Sequence, residues 1–171
     1  MLLWQRYREI NHMNDKTQNT FKLDMSDIPD MIDEKGTQIW VNKSGLKHRN
    51  NDLPAVIFLD GTEEWFQNGK RHRENGPAVI YSYGTKKWYK EGELHRDDGP
   101  AVIYSDGTKE WYQNGKRHRD GGHAVIYCDG TECWYQNDKL HRIDGPAVIC
   151  PDGSEVWFQD GKEIDNPNEA N

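Results

Sequence analysis

No stretch of this 171-residue chain is a long apolar run: hydrophobic residues make up 34% of it and the mean hydropathy is −1.06. A membrane-spanning helix needs about 20 consecutive apolar residues. The opening MLLWQRYREI is broken by Arg6, Arg8 and Glu9, too early for a span or a secretory signal. Positive charge is also short, with 22 Lys and Arg against 29 Asp and Glu, a net −7. The long-range attraction that draws nucleic acid or an anionic membrane is therefore disfavoured. Cysteine is scarce: Cys128, Cys133 and Cys150 form neither a disulfide framework nor a spaced zinc pair. An odd count without a signal peptide predicts a reducing cytoplasm. Catalytic signatures are missing too, since no Ser-His-Asp set, phosphate-cradling loop or dinucleotide fingerprint stands in a supporting context. The expectation is a protein that is not an enzyme and has no cofactor and no metal.

What the chain does have is repetition. Trp65, Trp88, Trp111, Trp134 and Trp157 recur every 23 residues, and a looser first copy begins at Trp40 after a step of 25. Seven Trp, eight Tyr and four Phe fall mostly at fixed repeat positions, so large aromatics do the burying despite the polarity. A stack of units that touch only their neighbours needs little deep core.

Within one unit, Thr108 to Gln113 and Ala124 to Tyr127 are short, β-branched or aromatic runs bounded by turn residues, and read as strands. Asp106-Gly107 and Asp129-Gly130 on one side, and Asn114-Gly115 on the other, suit the positive φ that both centres of a type I′ turn require. One hairpin per 23 residues follows, with Gly76-Pro77, Gly99-Pro100 and Gly145-Pro146 opening the strand after a longer return. Alternation puts each Trp on one face and Phe66, Tyr89, Tyr112, Tyr135 or Phe158 on the other. Equivalent residues of successive units stand about 9 to 10 Å apart if each gives two strands. The predicted fold class is all-β: an elongated, single-layer antiparallel hairpin array with a short amino-terminal helix. The helix rests on Leu2, Leu3, Trp4, Tyr7, Ile10 and Met13 sharing one face. The predicted division is 1–35 for helix, linker and cap, with one helical turn around Pro29; 36–165 for five full units and a partial one; and 166–171 for a polar tail.

The segments Asn68-Gly69-Lys70-Arg71-His72 and Asn114-Gly115-Lys116-Arg117-His118, followed by Tyr-x-Asp-Gly-Thr, resemble the MORN repeat over about Gly36 to Lys162. His-Arg in place of the usual His-Gly, Trp-Tyr in place of the usual Tyr-x-Gly and the Gly-Pro-Ala-Val-Ile strand place the likeness in a divergent MORN-like subgroup of phage, large-virus and bacterial proteins, including the YwqK antitoxin-like group. The resemblance implies hairpin arrays that act as scaffolds, oligomerisation surfaces and, in some members, phospholipid-binding modules, none catalytic by itself.

Several constellations compete with this reading. His48-Arg49, His72-Arg73, His95-Arg96, His118-Arg119 and His141-Arg142 invite acid–base chemistry, but a column places similar side chains in similar surroundings, whereas a catalytic base needs one tuned site. Each His is expected to bond the backbone of its own loop. Lys70, Arg71, Arg73, Lys116, Arg117, Arg119, Lys139 and Arg142 would form a polyanion-reading ridge, diluted by Glu74, Glu91, Asp97, Asp120 and their neighbours. The Asp60, Asp106, Asp129 and Asp152 column fits turn chemistry better than calcium. The function expected is a non-catalytic protein–protein interaction or assembly module, viral or phage by resemblance and acting on a host protein in the host cytoplasm. An antitoxin-like immunity protein comes second and a phospholipid- or nucleic-acid-binding ladder third. Its contact rows would be the exposed Tyr89, Tyr112 and Tyr135 and the return-segment Arg73, Arg96, Arg119 and Arg142. The partners are an unidentified protein and a second copy through the array ends.

Overall fold

The computed structural model describes residues 27–167 and carries two kinds of hairpin that alternate along the chain. The predicted helix at 2–13 lies outside the described residues. Among the described residues there is no α-helix, and none long and apolar enough to cross a membrane.

The first kind of hairpin, such as Val102–Ile103 with Lys109–Glu110, joins its neighbours in one 13-stranded antiparallel sheet that follows chain order. At about 4.8 Å per strand this sheet is about 60 Å long. The second kind, such as Tyr112–Gln113 with Lys116–Arg117, forms four separate two-stranded sheets beside it. A unit therefore contains two hairpins, not the one expected. The tryptophan is where pairing changes hands. The Trp88 N–H donates to the Ala101 carbonyl at 2.8 Å, in the long sheet, while the Trp88 carbonyl accepts from the His95 N–H at 3.2 Å, in the side hairpin. Sequence patterning reads Thr108 to Gln113 as one strand because alternation passes through Trp111 undisturbed; only the partner changes. In the last unit Glu155–Gln159 runs through Trp157 unbroken.

The two tips also differ. Asn68, Glu91, Asn114, Asn137 and Asp160 have φ between 49 and 53°, each followed by a second left-handed residue, as type I′ demands. At the Asp-Gly tips only the glycine is left-handed, with Gly107 at φ 94°. The Tyr104 N–H donates to the Thr108 carbonyl and the Gly107 N–H to the Tyr104 carbonyl, which is a three-residue loop: a type I turn closed by a glycine bulge. The type I′ expectation thus holds for Asn-Gly and fails for Asp-Gly. The Asp instead caps its turn, Asp106 Oδ1 accepting the Thr108 N–H at 2.8 Å.

The array begins upstream of the expected boundary. Met31–Ile32 pairs with Gln38–Ile39, so the first hairpin is cut by a start at Gly36. Pro29 leads into this strand, and Asp27 just before it is in 3-10 conformation, so the expected helical turn falls at the edge of the described residues. Pro29 stands as far before Trp40 as Pro54, Pro77, Pro100 and Pro146 stand before their own tryptophans.

Burial is thin and columnar. Ala55, Ala78, Ala101, Ala124 and Ala147 are fully enclosed, and among the described residues no fully buried side chain is larger than Val56, Val79, Val102 and Val125. Beside the valines runs the column Glu64, Lys87, Glu110, Cys133 and Val156, on the face away from the indoles. Glu64 bonds Arg71 at 3.0 Å, and Glu110 accepts from the Tyr104 and Tyr112 hydroxyls at 3.2 and 3.0 Å. Burial beside Glu110 pushes the Tyr104 hydroxyl up to about 12. Cys133 takes the acid's place one unit on, and burial pushes its thiol up to about 11. All three cysteines are free.

Candidate functional site: a groove repeated along the tryptophan face

Each return segment is built on its arginine. Arg49, Arg73, Arg96, Arg119 and Arg142 place their guanidinium carbons 3.8, 4.0, 4.2, 4.3 and 4.2 Å from the ring centroids of Trp40, Trp65, Trp88, Trp111 and Trp134. Such a stack contributes about 0.5 to 2 kcal/mol, depending on how dry it is. Nη1 then donates to a carbonyl further round the loop: Pro77 for Arg73, Pro100 for Arg96, His123 for Arg119 and Pro146 for Arg142. The recurring glycine of Gly-Pro makes room for this arrangement. A Cβ at Gly145 would stand 2.7 Å from the Arg142 guanidinium carbon, and one at Gly99 3.1 Å from that of Arg96.

An acid completes the loop. Arg96 Nε donates to Asp98 at 2.8 Å and Arg142 Nε to Asp144 at 3.0 Å, which holds both carboxyls below their ordinary range. Arg73 has no acid at that offset; it is gripped instead by both oxygens of Asp52, at 2.9 and 2.7 Å, from the preceding unit. Asp52 belongs to the return of the first copy, which is one residue longer than the others and turns through Asn51 and Asp52 at φ 62 and 56°.

The histidines join units rather than closing their own loops, which corrects the expectation. His48, His72, His95 and His141 accept at Nδ1 the backbone N–H of Asn68, Glu91, Asn114 and Asp160, the first tip residue of the next unit, at 3.1 to 3.2 Å. Nε2 of His48, His95 and His118 faces the residue two further on, Asn50, Asp97 or Asp120. A column of this kind sets the spacing between units. Among the described residues no three His, Cys, Asp or Glu side chains converge for a metal.

Between successive returns lies a groove, and it recurs at five rungs. The largest, about 600 Å³, is bordered by Arg73, Trp88, Tyr89, Lys90, Arg96 and Asp97. Its equivalents, of about 570 and 370 Å³, are bordered by Arg96, Trp111 and Arg119, and by Arg119, Trp134, Tyr135 and Arg142. Two more lie at Trp40 and Trp65.

The structure thus gathers Arg73, Arg96, Arg119 and Arg142 along one row of grooves, whereas the rings of Tyr89 and Tyr135 turn to the other face, 5.7 Å from the Arg71 guanidinium and 5.2 Å from that of Arg117. Tyr112 is not on these walls; its hydroxyl is held by Glu110 and Arg117. The three tyrosines are half-buried rather than exposed, and the four arginines are half-buried against indole and glycine. The basic ridge is split three ways: Arg73, Arg119 and Arg142 lie on the indoles, Arg71 and Arg117 on the opposite face against Glu64 and Tyr112, and Lys70, Lys116 and Lys139 at the exposed tips. Sequence reasoning missed the indoles themselves as groove-lining groups, having assigned them wholly to stacking. The longer first return, Arg49 to Pro54, is the available signal that one Trp environment differs from the rest. The chain matches no family model, and no curated protein resembles it closely enough to carry an argument.

Proposed function

We propose that the chain is a non-catalytic protein-binding module that engages its partner along several rungs at once. The observation that carries this reading is the recurrence of one groove, with the same Trp, Arg and His borders, at five successive units. A single built pocket would concentrate in one unit; a repeated groove presents aromatics and arginine, the residues enriched at binding hot spots, in a rigid row. The likeness to MORN-like scaffolds supports the same reading and extends it to a viral or phage protein acting on a host target in the cytoplasm. An antitoxin-like immunity protein is the second reading, resting on that likeness alone. The splitting of the basic ridge counts against a lipid- or nucleic-acid-binding ladder, since counterion release rewards cations that lie along one line.

The test blocks the grooves without touching the stacks. Gln113, Gln136 and Lys90, exposed beside the grooves, are replaced together by Trp to fill them, folding is checked by melting, and capture is compared with the unaltered chain. Proteins retained by the parent and lost by the variant support the reading. A folded variant with an unchanged capture profile contradicts it.

A further inference from the structure

The grooves differ in one respect that depends on loop length. In the first copy the extra return residue brings the Asp52 carbonyl to 2.9 Å from the Trp65 indole nitrogen, and that N–H is satisfied. The later returns are one residue shorter. Among the described residues no acceptor reaches the indole N–H of Trp88, Trp111 or Trp134, although these rings lie under Arg96, Arg119 and Arg142 just as Trp65 lies under Arg73. Trp65 and Asp52 line the same groove, so the indole N–H of this stack points to the groove side. The smallest groove, about 170 Å³, is the one where the chain fills the bond itself; the grooves at Trp88, Trp111 and Trp134 are about 600, 570 and 370 Å³. Trp65 is also buried, whereas Trp88, Trp111 and Trp134 are only half-buried. Asp52 acts as an internal stand-in for a ligand carbonyl.

Three such donors in register ask for a chain with one free carbonyl per rung. Rungs recur at about 9 to 10 Å. A polyproline II helix advances about 9.3 Å per three-residue turn, has no internal hydrogen bonds, and turns the same side to the groove every third residue. A β-strand covers a similar distance in three residues, but its third residue faces the opposite way. The rims add charge: the carboxylates of Asp97, Asp98, Asp120 and Asp144 are more than three-quarters exposed, while Arg96 and Arg142 below them are less than a quarter exposed. Lysine or arginine on the occupant would meet them.

We infer that the grooves at Trp88, Trp111 and Trp134 together form a docking site for a basic, proline-rich segment of a partner protein in the polyproline II conformation, its backbone carbonyls accepting the three indole N–H groups. This inference rests on the protein-binding reading above and names the class of partner.

The probe is a peptide of four Pro-Pro-Lys repeats added to the full chain, with four Gly-Ser-Lys repeats as the control of equal charge. Indole N–H resonances of the isotopically labelled chain are followed and assigned through single Trp→Phe variants. The expected result is that Pro-Pro-Lys shifts the Trp88, Trp111 and Trp134 signals and leaves Trp65 in place. Trp111→Phe, which keeps a ring and loses the donor, should weaken binding about three- to five-fold, the scale of one net hydrogen bond, while Tyr83→Phe, exposed at a far tip, leaves it unchanged. Equal binding of the Gly-Ser-Lys peptide, equal effects of the two variants, or no shift of the three signals in the unaltered chain overturns the inference. That failure is separable from failure of the binding-module reading, which falls only if the groove variant of the previous section captures all that its parent does.

Discussion

His123 stands where every other unit has proline, and the substitution changes what the position can do. Its ring lies edge-on to Trp111 at 6.1 Å and to Trp134 at 5.3 Å, with Glu132 3.6 Å away. Burial is the main reason its affinity for a proton falls below the ordinary value of 6.5; Glu132 opposes the shift, and Arg119 and Arg142 reinforce it. The neutral ring is the form the fold prefers. Stability is therefore complete above the unfolded-state pKa of about 6.5 and declines as pH falls from there to the folded-state pKa, below which no more is lost. The expected outcome is that the melting temperature of His123→Pro falls less between pH 7 and 5 than that of the unaltered chain. Parallel pH profiles for the two proteins would contradict it.

Elements are specified by single residues at the tips and returns, and each makes a separable prediction. At Gly107 a Cβ meets nothing within 4 Å, so Gly107→Val tests backbone strain alone. The loss expected in chemical denaturation is about 1 to 3 kcal/mol, the usual cost of a β-branched residue held at positive φ. Gly145→Ala tests the opposite case, since φ is ordinary there and the new methyl displaces Arg142 from Trp134. A loss of about 1 to 2 kcal/mol is expected for the stack and its carbonyl bond, together with a change in Trp emission. On the other face, Glu64 is buried and Arg71 half-exposed, which places their pair between the surface and interior limits. Glu64→Leu alone should cost about 1 to 3 kcal/mol, and Glu64→Leu with Arg71→Leu less than the sum of the two singles. The same chain already contains an apolar exchange of this kind, since Cys133 and Leu140 occupy these two positions in the unit after Glu110 and Arg117. A double-mutant cycle with no coupling would show that the pair is ornamental.

The whole ladder was legible because its determinants are local and repeated. Period, strand composition and Asn-Gly tips act within a few residues, and they led to an all-β hairpin array. What escaped was set across units. The tryptophan exchanges partners through backbone bonds to Ala101 and His95 equivalents, which leaves the apolar alternation untouched, so two hairpins looked like one. His48 and its equivalents reach tips 19 to 20 residues away, a contact no loop-centred reading of His-Arg can supply. Of the site, the arginine row was legible as a surface feature of a repeat, and the opposite facing of Tyr89 and Tyr135 followed from strand alternation. The half-burial of the arginines was not legible, because it depends on Gly-Pro folding back over the guanidinium.

At the scale of the molecule one claim stands above the others, that binding spans successive rungs of the tryptophan face. A photo-crosslinking amino acid placed singly at Glu74, Asp97, Asp120 and Ile143, all exposed at the returns, and at Leu59, Tyr83 and Asp106 at the far tips, tests it whatever the partner is. Binding along the face predicts that several return positions in consecutive units trap the same protein and that the three distant positions do not. Crosslinks confined to one unit, or equally strong from Tyr83 and Asp106, would contradict it.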